Sequence, residues 1–216
     1  MNQTDMFLRE HKRHKRIKYS ANTKPSISKD IIKKWQDILN ATAQLLDVPA
    51  GLIMRINDTH LEVFLRSDSP NNPYTKGDKD TVGHGLYCET VIGEDKPLHI
   101  KNALKYDHWK DNPDVKLNMI AYYGLPIKWQ DGEVFGTICV LDDTERDFSQ
   151  KHRQLLDLFK AGIETDLHNL ELMHDLRYIA THDALTNIPN RRHILTLLDE
   201  KIMAFKQDHQ AFTVVM

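Results

Sequence analysis

The sequence is poor in cysteine, in long apolar runs and in excess charge of either sign. Its two cysteines among 216 residues, Cys88 and Cys139, are too few for a disulfide scaffold, so we expect a reducing, cytoplasmic compartment. No apolar stretch approaches the roughly 18 residues that a membrane helix needs, and the N-terminus carries no apolar signal segment. These absences predict a protein with no membrane span.

The small formal net charge of −2 gives no general reason to expect nucleic acid as a partner. Basic residues do cluster in HKRHKRIK, residues 11–18, within a polar segment that precedes Pro25. Blocks of like charge repel one another and usually remain solvated. We therefore interpret residues 1–27 as a basic flexible arm.

Beyond residue 28 the chain alternates between helical and strand-like patterns. Ile31, Trp35 and Leu39 belong to a helical series that begins at Ser28 and ends before Pro49. The runs GLIMRI and HLEVFLRS predict two strands, GLYCETVI a short helix and KPLHI a further strand. Residues 67–80 are rich in Pro, Asn, Asp and Gly and predict an irregular loop. A short helix is expected after Pro113.

The strongest hairpin signal is the turn Gln130-Asp131-Gly132, which the runs MIAYYGLPIKW and EVFGTICVLD flank. In the second of these strands, alternation with a period of two predicts one shared face for Phe135, Thr137, Cys139 and Leu141. The whole order is helix, two strands, helix, strand, helix, two strands and a long helix. It predicts an α+β fold with an antiparallel sheet flanked by helices.

The stretch AYYGLPIKWQDGEVFGTICVLDDTERDFSQKHRQLLDLF resembles the closing half of a GAF domain. It contains an apolar-Pro-apolar step, an acidic Gly turn, a Gly-containing strand and Phe148 before a long helix. The resemblance extends over residues 28–170 and implies a sensory binding module with its pocket between the sheet and the covering helices. Cyclic nucleotides, haem, bilins and amino acids are bound by such domains, and the sequence does not select among them.

An aromatic wall that contains cysteine would suit a small planar ligand. The candidate ligand-binding residues in such a pocket are Tyr87, Cys88, His108, Trp109, Tyr123 and Cys139. The competing interpretation is that these side chains only fill the core, and it is strongest for Cys139. No set of residues with the spacing of a metal site is found among the twelve histidines.

Cys88 stands at the start of its predicted helix, where a cysteine can become nucleophilic or redox-sensitive. Some GAF relatives reduce free methionine sulfoxide through cysteines, and this redox enzyme is one alternative function. Against it, no paired catalytic cysteines occur at a suggestive spacing, and helical cysteines are mostly small buried hydrophobes. Alkylation of Cys88 combined with an activity assay would separate the two.

From residue 149 to 181 a helical pattern continues for more than thirty residues. Its apolar stripe includes Leu156, Ile163, Leu167, Met173, Leu176 and Ile179. A helix of this length exceeds what a small sheet covers, and we expect it to pair with its copy in a homodimer. Residues 171–182 would then be a signalling-helix linker between two domains.

The segment THDALTNIPNRR, residues 181–192, resembles the turn that begins GGDEF domains, the diguanylate cyclases. The matching residues are Asp183, Leu185, Thr186, Asn190 and Arg191. Asp183 and Arg191 are expected to form an ion pair, Asn190 to cap the next helix, and Asn187 to take the left-handed conformation of the family's usual glycine. A helix from Arg191 to Phe205 and a beginning strand, FTVVM, would follow.

The two resemblances together imply the sensory part of a cyclase that makes cyclic di-GMP from two GTP molecules. Residues 183–216 would be a truncated start of the GGDEF domain, and Mg²⁺ and GTP would belong to the missing cyclase portion. The fragment itself is expected to contain no catalytic residue, metal site or cofactor. A degenerate GGDEF domain, or one followed by a phosphodiesterase domain, is the other alternative.

Overall fold

A computed structural model describes residues 24–57, 59–209 and 211–215. Most of the predicted basic arm, residues 1–23, therefore lies outside the described residues. Residues 26–169 form one compact unit, and residues 170–215 belong to a second. Within the described ranges, no helix combines the length and the hydropathy that crossing a membrane requires.

The first unit contains all of the described strands and the first two helices. The strands are β1 Ala50–Ile56, β2 His60–Arg66, β3 Lys79–Thr81, β4 Leu98–Ile100, β5 Ala121–Lys128 and β6 Val134–Asp142. The helices among the described residues are α1 Lys29–Leu46, α2 Tyr87–Glu94, α3 Gln150–Thr181 and α4 Arg191–Asp208. Two 3₁₀ turns, Ala103–Lys105 and Pro113–Leu117, lie between β4 and β5.

The six strands form one sheet in the order β3-β2-β1-β6-β5-β4, and every neighbouring pair is antiparallel. The predicted α+β fold with an antiparallel sheet is confirmed. The interpretation of residues 67–80 as loop was incomplete, because Lys79–Thr81 adds an exposed edge strand beside β2. Three polar residues with no apolar alternation carry no strand signal of their own.

Each face of the sheet is covered by its own hydrophobic cluster. On one face, α1 and the first half of α3 contribute Trp35, Leu39, Leu156, Ile163 and Leu167. On the other face, α2 and the segment between β4 and β5 cover a second cluster that includes Tyr87, Val91, Ile100 and Ala103. Because both faces are buried, β5 and β6 are apolar almost throughout.

Two β-bulges turn extra aromatic rings toward α1. In β2 the pairing shifts so that Phe64 has no opposite residue on β1, and in β6 the same happens to Phe135 opposite β5. Their rings contact each other at 5.7 Å and each meets Trp35 edge-on. The predicted face of Phe135 was therefore wrong: the extra residue breaks the alternation, and Thr137, Cys139 and Leu141 remain together on the opposite face.

Helix α3 is attached to the first unit by buried polar contacts as well as by apolar ones. The indole nitrogen of Trp35, which is fully buried, donates to Asp166 Oδ2 at 2.9 Å. The backbone N–H of Lys128, on β5 opposite the bulge in β6, donates to Glu164 Oε1 at 3.0 Å. Strand β4 pairs only with Tyr122–Gly124, so the end of β5 has no described strand on that side, and a glutamate of α3 accepts from its amide.

Arg146 connects the segment before α3 to the C-terminal end of α1. Its guanidinium donates to the carbonyl oxygens of Leu46 and Asp47 at 2.9 and 2.7 Å and pairs with Asp142 at 2.8 Å. The last carbonyls of a helix have no partner within it and carry partial negative charge, so a cation at this position is favourable.

In the second unit the end of α3 is exposed. Leu172, Met173, Leu176 and Ile179 all keep about half or more of their side-chain surface accessible. The predicted helix after the turn is confirmed as α4, but residues 211–215 do not form the expected strand. A strand requires a hydrogen-bonded neighbour, and among the described residues none pairs with them.

Two glycines give a test of this packing. A Cβ on Gly136, beside the β6 bulge, would overlap the backbone oxygen of Met54, whereas a Cβ on Gly162 in α3 would meet no atom within 4 Å. We expect Gly136→Ala to lower the free energy of unfolding by about 1–3 kcal/mol, because backbone must move. Gly162→Ala should raise it by about 0.5–1 kcal/mol through helix propensity. Urea unfolding measures both, and equal effects of the two substitutions would contradict this packing.

Candidate functional site

The face of the sheet under α2 brings together side chains from α2, β5 and β6. Tyr87 and Cys88 are the first residues of α2 and are directed onto the sheet. Cys88 Sγ lies 3.4 Å from the hydroxyl of Tyr122 and 3.9 Å from Cys139 Sγ, and the hydroxyl of Thr137 donates to it at 3.3 Å. This contact set joins residues that are far apart in the chain.

A row of rings leads from this contact set to the surface. The ring centroid of Tyr87 lies 4.9 Å from that of Tyr122 and 5.3 Å from that of Trp109. The Trp109 ring lies in turn 5.1 Å from the ring of His108. Tyr87 and Tyr122 are fully buried, Trp109 is half-buried and His108 is exposed. The result is a graded aromatic array in which Trp109 is the ring between core and solvent.

Five of the six predicted site residues belong to this array: Tyr87, Cys88, His108, Trp109 and Cys139. The sixth, Tyr123, lies on the other face, where its ring meets Phe148 and His99. Adjacent strand residues point to opposite sides, so Tyr122 takes the place in the array that Tyr123 cannot. Gly124 of β5 lies opposite Cys139 of β6. Because residues two apart on a strand share a face, this pairing would have placed Tyr122 on the same face as Cys139.

Burial keeps three groups in the inner part of the array uncharged at neutral pH. It raises the pKa of the Cys139 thiol, and it also raises the pKa values of the Tyr87 and Tyr122 hydroxyls above the usual range. The hydroxyl of Tyr87 donates to the carbonyl oxygen of Met119 at 3.4 Å. The array can therefore pack against an apolar or aromatic group and offer neutral hydroxyl and thiol groups to it.

A buried carboxyl that the sequence analysis missed lies beside the array. Asp114 is the second residue of the second 3₁₀ turn, is nearly inaccessible to solvent and accepts a hydrogen bond from the Tyr74 hydroxyl at 2.7 Å. Asn112 caps this turn and also donates to the carbonyl oxygen of Gly85 in the loop before α2. The Asn-Pro-Asp sequence indicated a turn, but nothing local indicated burial.

Burial raises the pKa of Asp114 to about 6, and the nearby carboxylates of Asp80 and Glu89 act in the same direction. The hydrogen bonds from Tyr74 and from the backbone of Tyr87 oppose this increase but do not cancel it. The Asp114 carboxyl therefore gains and loses its proton close to neutral pH, within a few residues of Trp109.

An open groove of about 710 Å³ lies on the other side of the sheet, between the β5–β6 hairpin and α3. Its lining includes Pro126, Lys128, Trp129, Lys160 and Glu164, and it includes none of the six predicted site residues. Among the residues that the structure describes, no group of three His, Cys, Asp or Glu side chains is arranged to hold a metal ion.

In the second unit, the predicted turn is built around Asp183. Its carboxylate accepts from the backbone N–H of Leu185 and from both the N–H and the hydroxyl of Thr186, at 2.9–3.1 Å. The hydrogen bonds from Thr186 and Leu185 lower the pKa of the exposed Asp183 carboxyl. The expected Asp183–Arg191 ion pair is not formed between these two described residues, and the donors of the turn itself bind Asp183 Oδ1 instead.

The remaining features of the turn match expectation. Asn187 has a φ of 59°, in the left-handed region, and its side chain accepts from the Tyr178 hydroxyl at 2.6 Å. Asn190 caps α4 by accepting from the backbone N–H of His193 at 2.9 Å. It also donates to the carbonyl oxygen of Ala180, near the end of α3.

The chain belongs to the GAF domain family, whose pattern matches residues 30–161. Known structures share the fold. The GAF domain of an Acinetobacter phosphoenolpyruvate-protein phosphotransferase superposes with a TM-score of 0.54 at 15% identity, over 81% of this chain and 99% of that one. A red/green cyanobacteriochrome in its red light-absorbing state gives 0.56 at 14% identity, over 67% and 97% of the two chains.

A sequence relative comes from Escherichia coli (strain K12). The diguanylate cyclase DgcP is 32% identical over 96 residues, which is 41% of this chain and 28% of that protein. The similarity therefore spans less than a third of DgcP.

The buried carboxyl yields a prediction about pH. The folded pKa of Asp114 lies above that of an unfolded aspartate, so its burial becomes more unfavourable as pH rises through about 6. Asp114→Asn should raise the free energy of unfolding at pH 8 by up to about 3 kcal/mol and at pH 4.5 by only about 1 kcal/mol, because at pH 4.5 the unfolded carboxyl is largely ionised and the folded one is not. Denaturation at both pH values, with the exposed Asp111→Asn as control, measures this difference. A pH-independent effect of Asp114→Asn would contradict it.

Proposed function

We propose that this chain is the sensory and linker portion of a cytoplasmic diguanylate cyclase, a protein that would make cyclic di-GMP from two GTP molecules. The similarity to DgcP carries the proposal, and the Asp183–Arg191 turn after a long helix supports it. The 216 residues contain no GG(D/E)EF sequence, so GTP and Mg²⁺ belong to the cyclase part of such a protein.

In this proposal the input is a small molecule that binds at the array of Tyr87, Cys88, His108, Trp109, Tyr122 and Cys139. Trp109 is the residue best placed to respond, since it contacts Tyr87 on the inside and His108 on the outside. An indole held half-buried in a polar loop can cover a bound planar group or move aside for it. The neutral hydroxyls of Tyr87 and Tyr122 and the neutral thiol of Cys139 would favour an uncharged or weakly polar ligand.

The output is the exposed end of α3. At about 100° per residue, Leu172, Leu176 and Ile179 lie within about 60° of one another on the helix surface. Their steps of four and three residues are those of a coiled-coil seam, and the side chains are 48%, 57% and 72% exposed. Pairing of this seam with the same seam of a second copy would bring two cyclase domains together, as a reaction between two GTP molecules requires.

The input can be tested without knowing the ligand in advance. Native mass spectrometry of the protein purified from cells should show a species heavier than the 25.1 kDa chain. Trp109→Ala should lower the bound fraction, because loss of a large aromatic contact worth more than about 1.4 kcal/mol raises the dissociation constant at least about tenfold. Tyr123→Phe, on the opposite face, is the matched control and should retain the ligand. Equal occupancy of Trp109→Ala and the wild type would exclude Trp109 from the site.

The proposed pairing of two α3 helices can be tested by placing charged side chains on the seam. Leu176→Glu combined with Ile179→Glu should convert a dimer to a monomer in sedimentation equilibrium, because apposed carboxylates would replace the apolar contact. The sensor unit should keep its unfolding transition, since both residues lie outside it.

The control for this experiment is Leu104→Glu combined with Leu117→Glu, which adds the same charge at exposed leucines of the sensor unit. That variant should remain dimeric. A wild-type protein that is monomeric at tens of micromolar, or a dimer that survives both seam substitutions, would contradict the proposed output.

A further inference from the structure

The two cysteines of the chain meet in the folded protein. Cys88 lies on α2 and Cys139 on β6, 51 residues apart in sequence, and their sulfur atoms are 3.9 Å from each other. Both are free thiols. A disulfide has sulfur atoms about 2.05 Å apart, so a closure of roughly 1.9 Å would join them. Two elements with no covalent connection nearby could thus be linked.

Of the two elements, α2 rather than β6 can move to bring the two sulfur atoms together. Strand β6 is hydrogen-bonded on both sides, to β1 and to β5, and cannot shift without disturbing the centre of the sheet. Helix α2 has eight residues and follows a loop in which Gly83 and Gly85 both have positive φ. Glycine is free of the Cβ restrictions that fix other residues, so α2 is the element that can approach.

The two sulfurs also differ in their surroundings. Cys139 is fully buried, and burial raises the pKa of its thiol, so it stays protonated at neutral pH. Cys88 keeps 6% of its surface accessible and contacts the hydroxyls of Thr137 and Tyr122. A small oxidant therefore reaches Cys88 first, and Cys139 is the thiol that remains beside it.

We propose that Cys88 and Cys139 form a reversible redox site that is oxidised by hydrogen peroxide. The Cys88 sulfur attacks one peroxide oxygen, the O–O bond breaks, and Cys88 becomes a sulfenic acid while one water leaves. The Cys139 sulfur then attacks the Cys88 sulfur, the S–O bond breaks, and the Cys139 proton leaves with the hydroxyl as a second water. Two thiols are oxidised to one disulfide, peroxide is reduced to two waters, and a dithiol reductant reverses the change.

This site goes beyond the proposed function, because it does not depend on which output domain follows the sensor. In a reducing compartment such a disulfide is transient and serves sensing rather than stability. Its formation would tie α2 to the central strand β6 and displace the contacts of Cys88 with Thr137 and Tyr122. The array that begins at Tyr87, the residue before Cys88, would move with α2.

The test uses the whole chain, in which two cysteines permit one intramolecular disulfide. Reduced protein is exposed to a small molar excess of hydrogen peroxide at neutral pH and is then unfolded in denaturant that contains iodoacetamide, which alkylates free thiols. Its mass is measured by intact mass spectrometry. The expected product has lost two hydrogen atoms, carries no carbamidomethyl group and yields a Cys88–Cys139 cross-linked peptide. Dithiothreitol should restore both alkylatable thiols.

Single substitutions establish the order of the two steps. In Cys139→Ser, the sulfenic acid on Cys88 should persist and be captured by dimedone, whereas in Cys88→Ser the Cys139 thiol should remain alkylatable after the same exposure. The wild-type measurement needs neither variant to fold. Two alkylatable thiols after peroxide, cross-links between chains alone, or oxidation of both sulfurs to sulfinic acids without a disulfide would overturn the proposal.

Discussion

The hydrogen bond from the Trp35 indole to Asp166 is the contact on which the relation between sensor and long helix depends. A fully buried N–H needs an acceptor, and without one its burial would be costly. Asp166 supplies that acceptor from α3, while Lys34 pairs with the same carboxylate from the solvent side. The indole can keep this partner only if α1 and the first half of α3 hold one register, so this polar contact adds a specific constraint to the apolar packing of that half of α3 on the sensor.

The sheet separates the two activities that we propose. Its α2 face carries the thiols and the aromatic array, and its other face carries Trp35 and α3. Strand β5 belongs to both faces, since Tyr122 contacts Tyr87 on one side and Tyr123 contacts Phe148 on the other. At the end of this strand the Lys128 amide donates to Glu164 of α3. A ligand or a disulfide that moves α2 thus acts on a strand that also touches the output helix.

Much of this arrangement could be predicted from the sequence, because periodicity and turn residues indicate most of the helices and strands. The hairpin at Gly132, the short α2 and the long α3 are examples. The rest depended on contacts between distant segments. No local pattern shows that Phe135 is an extra residue in a bulge, or that Asp114 becomes buried against Tyr74. Asp183 illustrates the same limit, since its own turn provides donors nearer than Arg191.

The central claim is that Trp35 and Asp166 are energetically coupled and thereby hold α3 in register. A double-mutant cycle of Trp35→Phe and Asp166→Ala, followed by urea unfolding, removes the cavity and packing effects that each substitution has alone. A hydrogen bond from a buried indole to a carboxylate predicts a coupling free energy of about 1.5–3 kcal/mol. The exposed pair Lys34–Asp166, measured in the same way, should give less than about 1 kcal/mol. A coupling near zero between Trp35 and Asp166 would contradict the account.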